Sequence, residues 1–156
     1  MKDASQNWGK WLAVTLVLGV LAFLASPNAP LGGFWGPPAA SPGSGPSDTQ
    51  RMLFMLIGAF QSLVFGWGVA FLIFGFPFAK DMVPAHQGLA RAAHLAIAWS
   101  LINWWPHGNF HITLGARSVG GLLAIEYGFH VTTIVAALVM ACFFMTVMRQ
   151  RATQAR

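Results

Sequence analysis

Four long apolar blocks alternate with short polar or turn-rich stretches along this chain. They run over 8–26, 52–78, 88–105 and 119–148. A helix rises about 1.5 Å per residue, so roughly 20 residues cross a hydrocarbon layer of about 30 Å. Each block is close to that length or longer. The second and fourth are expected to tilt or to reach beyond the lipid. Between the first two, 27–50 contains PNAPLGGFWGPPAASPGSGPSD, whose Pro, Gly and Ser density predicts an exposed loop without regular structure. A short turn with Pro84 covers 79–87, a connector covers 106–118, and a basic tail covers 149–156. No repeat interrupts this pattern, which predicts one domain: an all-α integral membrane protein built as a four-transmembrane-helix bundle.

Composition agrees with a lipid environment. Of 156 residues, 56% are hydrophobic and 8% charged, too few charges to cover a water-facing surface. Several of the 7 Trp stand at block ends, where indole rings favour the headgroup layer. The net charge of +5 is spread over both termini and the loops, which argues against a nucleic-acid partner. That spread does orient the chain. Lys2, Lys10, Lys80, Arg91, Arg149, Arg151 and Arg156 fall on one side and Arg51 and Arg117 on the other. The positive-inside rule then puts both termini in the cytoplasm of a cytoplasmic (inner) membrane, with 27–50 and 106–118 outside. The first block also has the form of a secretory signal, but its length and its flanking Trp8 and Trp11 favour a retained anchor.

Polar residues inside the blocks carry the candidate chemistry. Glu126 and His130 lie one helical turn apart on a face shared with Thr133, about 10 and 16 Å below the outer edge when counted from Val119. Ionisable groups at such depth are functional by default. By the same count His94 falls within about one turn of His130 in depth, and Gln61 of the second block lies near that level. Simpler roles stand beside these. Gln61 is the expected packing glue between helices, His94 is equally readable as an interfacial histidine, and His86 belongs to a solvated loop. Cys142 and Met140, Met145 and Met148 fit packing alone, Cys142 as a small buried hydrophobe.

The segment Asn103–His111, NWWPHGNFH, holds two further histidines four residues apart. Trp104 and Trp105 mark the outer interface, and Pro106 is expected to stop the helix, leaving His107 and His111 in a connector at the mouth of the bundle. Two imidazoles at this spacing can grip one copper, zinc or iron ion if the connector coils, with Glu126 and His130 completing the set. The same histidines can instead cap the Pro106–Asn109 turn. Haem b would use His94 and His130 as axial ligands, with Gly66, Gly68 and Gly128 making room for the ring. Small residues at Gly121, Ala124 and Gly128 equally suit close helix packing.

Phosphate-binding loops, GxSxG, HExxH and an acidic pair are absent from the sequence, so nucleotide, serine-hydrolase, zincin and glycosidase chemistry have no support. The sequence favours a small metal- or haem-binding subunit of a redox or metalloenzyme complex. Two readings compete with it: a non-catalytic structural or assembly subunit, and a proton- or ion-conducting element using Glu126 and His130. The expected partners are the bilayer and either other membrane subunits or further copies of the chain.

Overall fold

Small residues decide how closely the first two helices approach. The computed structural model describes residues 2–36, 47–115 and 118–154, and these form helices and turns without strands. Helix α1 (Lys2–Leu24) runs beside α2 (Asp48–Phe74). A Cβ on Gly66 would stand 2.2 Å from the Thr15 carbonyl oxygen, and one on Gly19 would meet Leu63 and Ser62. Thr15 and Gly19 on one helix thus face Ser62 and Gly66 on the other, the four-residue small-residue spacing that lets helix backbones touch. Gly68 does the same against Leu101 and Ile102. The room foreseen at Gly66 and Gly68 for a macrocycle is therefore filled by neighbouring helices. Gly128 has no neighbour within 4 Å of a Cβ position, so close packing is not its role either.

Phenylalanine and alanine build the second contact region. Helices α3 (Phe76–Met82), α4 (Gln87–Ile102) and α7 (Thr132–Gln154) enclose Ala79, Val83, Ala90, Ala93, Phe143 and Val147, with Phe143 wholly buried. Ala90 and Ala93 of α4 share one buried cluster with Phe143 of α7. One residue away, Cys142 is exposed, contrary to its expected burial.

Helix boundaries follow local chemistry more closely than hydropathy. Ser47 begins α2 with a capping box, its hydroxyl accepting from Gln50 N while the Gln50 side chain accepts from Ser47 N. The second apolar block is split at Gly75, where α2 ends and α3 begins with Pro77 in its first turn. Pro106 does not stop a helix where it stands. Its ring would collide with the carbonyl four residues back, that of Ile102, and α4 ends there. A new helix, α5 (Trp104–Phe110), then carries Pro106 in its first turn, where no N–H partner is lost. The connector expected over 106–118 is thus largely helical, continuing as a π-helical turn over His111–Gly115, while Ala116 and Arg117 lie outside the described residues. Of the Pro-rich loop, Gly32–Trp35 forms a 3-10 turn and 37–46 lie outside the described residues.

Helix α6 (Val119–Ile125) passes through a second π-helical turn, Glu126–Val131, into α7 without interruption. Among the described residues two helices are long and apolar enough to cross a membrane: Asp48–Phe74 and the continuous 36-residue helix Val119–Gln154. The apolar helical stretch of the first block, Trp8–Leu24, is shorter, and α4 has 16 residues.

Candidate metal centre

Helix α5 is held in place by its tryptophans. Trp105 Nε1 donates to the Ala22 carbonyl at 3.0 Å and lies 3.1 Å from Ser26 Oγ, fastening α5 to the end of α1. Asn103, at the α4–α5 junction, donates from Nδ2 to Thr133 Oγ1 at 2.7 Å, and Trp99 Nε1 donates to Thr132 Oγ1 at 3.0 Å. These two bonds fix α4 and α5 against the start of α7. The Trp99 and Phe129 rings stack at 8° in the same seam.

With that framework set, residues of two separate chain segments converge. His107 and His111 come from α5 and the turn after it, one helical turn apart, and His130 comes from the π-helical turn before α7. One ligand nitrogen from each of the three lies within 4.8 Å of the others. His107 Nε2 and His111 Nε2 are 3.1 Å apart, one donating to the other. Two imidazole nitrogens bound to one ion at 2.0–2.1 Å, at angles between square and tetrahedral, stand about 2.9–3.4 Å apart. The observed pair already has that spacing. The His130 ring packs against His107 with centroids 4.8 Å apart.

Glu126 meets the cluster through His130. Its Oε2 accepts a hydrogen bond from His130 Nδ1 one turn along the same helix. A carboxylate only accepts, so Nδ1 carries the proton, and in the neutral ring Nε2 presents the lone pair. This carboxylate–histidine pairing is the arrangement that orients metal-binding imidazoles. Both side chains are about half exposed, 47% for His130 and 43% for Glu126, rather than enclosed as the depth count implied. His107 is more sheltered. Burial, then the neighbouring His111 and His130, hold its pKa below the ordinary histidine value, with Glu126 opposing. A neutral His107 is the form that binds a metal.

His94 takes no part in this cluster. It is buried on α4, and its Nε2 donates to the Phe71 carbonyl at 3.0 Å, between the Phe71 and Phe76 rings. That carbonyl, in the last turn of α2, also accepts from Gly75 N at 2.7 Å, so His94 adds a second donor at the helix end. Asn103 marks the level of Thr133, and His94 lies nine residues below it, about 13 Å along α4. The structure brings His107, His111, Glu126 and His130 together and leaves His94 apart. Gln61 reaches the rear of α5, where a Cβ on Gly108 would stand 3.1 Å from its Oε1, which agrees with a packing role.

Beside the histidines runs a cleft of about 240 Å³ lined by Asn103, Trp104, His107, Phe129, His130, Thr133 and Ile134. Sequence reasoning did not single out Asn103, Trp104, Phe129 or Ile134 for this wall. Phe129 beside His130 and Ile134 four residues beyond it were the available signals. No protein-family model, no characterised protein and no solved structure matches this chain.

Proposed function

We infer that this chain is a small multi-pass membrane subunit that binds one transition-metal ion through His107, His111 and His130, within a redox or metalloenzyme complex. The observation that carries this reading is the convergence of three imidazole nitrogens within 4.8 Å, drawn from two chain segments. Glu126 acts on His130 as the orienting carboxylate. Neutral imidazoles suit copper, zinc or iron. Haem between His94 and His130 has less support, because the Nε2 of His94 is engaged by a backbone carbonyl.

Four spans with both termini in the cytoplasm remain the preferred arrangement, on the distribution of Lys and Arg. The rise from His130 to Arg149 is 19 residues, about 28 Å, close to one hydrocarbon thickness. The metal centre then belongs at the outer boundary, with the basic tail at the inner one. Helix α2 exposes Met52, Leu53, Phe54, Met55, Leu56 and Ile57 in succession, and α6 exposes Val119, Leu122 and Leu123. Apolar surface of this extent suits lipid together with a neighbouring subunit or copy.

The test is elemental analysis of the detergent-purified protein, with visible spectra before and after dithionite. About one copper, zinc or iron per chain, absent from His111→Ala and His130→Ala, is the expected result. A metal-free protein, or metal retained by both variants, would sink the reading. Haem bands would move the proposal to His94.

A further inference from the structure

We propose that the bound metal keeps one exchangeable position directed into the neighbouring cleft, and that this position takes a small uncharged molecule with an apolar body and one lone-pair donor atom. The proposal rests on the metal reading above and adds what the centre would hold. Three imidazoles are brought together, and Glu126 is occupied as the hydrogen-bond acceptor of His130. A four-coordinate ion held by three protein ligands leaves its fourth place to water or substrate, the arrangement of catalytic rather than structural sites.

The direction of that place follows from the cleft walls. His107 and His130 both line the cleft and His111 does not, so the side of the centre away from His111 looks into it. The other walls are the Trp104 and Phe129 rings and the Ile134 side chain, with Asn103 and Thr133 as the polar lining. Trp104 is 51% and Ile134 60% exposed, so the opening lies on the flank of the helices rather than at their ends. A cation would be repelled by the bound ion, and an anion, though drawn to it, would lose hydration against these apolar walls, so a neutral donor with an apolar body fits best. Thr133 Oγ1 accepts from Asn103 Nδ2, which leaves its hydroxyl proton free to hold a polar atom of the guest. A volume of about 240 Å³ is below the roughly 300–1,000 Å³ typical of drug-sized ligand sites, which restricts the guest to about a single ring.

The full chain in detergent, loaded with Cu(II), is titrated with pyridine and followed by its d–d absorption and electron paramagnetic resonance. Pyridine is expected to shift the band and add nitrogen hyperfine coupling in a saturable way. Ile134→Trp, which fills the cleft from an exposed helix position, should weaken pyridine at least tenfold with copper per chain unchanged. Copper that binds without responding to pyridine, equal pyridine affinity in Ile134→Trp, or tighter binding of azide than of pyridine would overturn this inference and leave the metal reading standing. A wild-type chain that takes up no Cu(II) would overturn this copper-based proposal, and one that holds no metal at all would overturn both.

Discussion

The two ends of this molecule treat histidine in opposite ways. Where α3, α4 and α7 meet, His94 is buried, its ring lies between two phenylalanines, and its Nε2 is spent on the final turn of α2. At the other end, His107, His111 and His130 turn their nitrogens toward one another, and His130 is about half exposed. The difference lies in what each ring has for company. A backbone carbonyl satisfies His94 and makes it structural. Of the three facing imidazoles, His107 and His111 hydrogen-bond each other and His130 donates to Glu126, an arrangement that a shared cation can reorganise by taking their lone pairs. On the proposed reading, the packed end sets stability and the histidine end sets binding.

The largest effect that would break this division comes from the packed end. Phe143→Ala removes a wholly buried ring and should lower unfolding stability in detergent by about 3–5 kcal/mol, with metal content per folded chain unchanged. Metal lost in proportion to stability would mean that the ends are not separable. At the histidine end, His111→Ala should weaken metal binding by more than about 100-fold, or about 2.7 kcal/mol, while the metal-free protein melts close to wild type. His94→Gln supplies the control, with metal affinity retained and a stability loss of about 0.5–1.5 kcal/mol from the lost hydrogen bond to a Phe71 carbonyl that keeps its Gly75 N–H donor.

Smaller effects sharpen the comparison. Glu126→Gln keeps the shape of the side chain but loses the charge that orients His130, and should reduce metal affinity by about 10–100-fold, seen in competition with a calibrated chelator. The last test is pH. The pKa of His107 is held below its unfolded value near 6.5, so the folded metal-free protein resists taking up that proton. Its contribution to stability is present above about pH 6.5 and is lost as pH falls through the lowered folded value. Thermal unfolding of the metal-free chain from pH 8 to pH 5 should show this decline, and His107→Gln should flatten it. A decline unchanged in that variant would assign the effect to another group.

Much of this was legible in the chain because the informative spacings are local. His107 with His111, and Glu126 with His130, are each four residues apart, and one helical turn joins each pair whatever the rest of the fold does. The all-helical class followed from apolar blocks too long for anything else. What escaped depends on tertiary placement. Counting depth separately along each block put His94 near His130, but α4 and α7 are set by Asn103 on Thr133, which leaves His94 about 13 Å below that bond and about 18 Å below His130. Gly66 and Gly68 carried no sign of whether a ring or a helix would fill their space. Pro106 was recognised as a break, yet its clash acts one turn upstream, at Ile102, and this is why the histidines ride on a helix instead of a loop.

The π-helical turn at Glu126–Val131 amounts to one residue more than an α-helix needs over the same stretch. Removing a residue such as Gly128, beside which a side chain would meet open space, would let the backbone relax to uniform α geometry. The flanking helices would keep their facing, and Glu126 would stand three residues from His130 instead of four, still on the same side of the helix. The turn therefore adjusts how Glu126 aims at His130 while leaving the span and the three histidines in place.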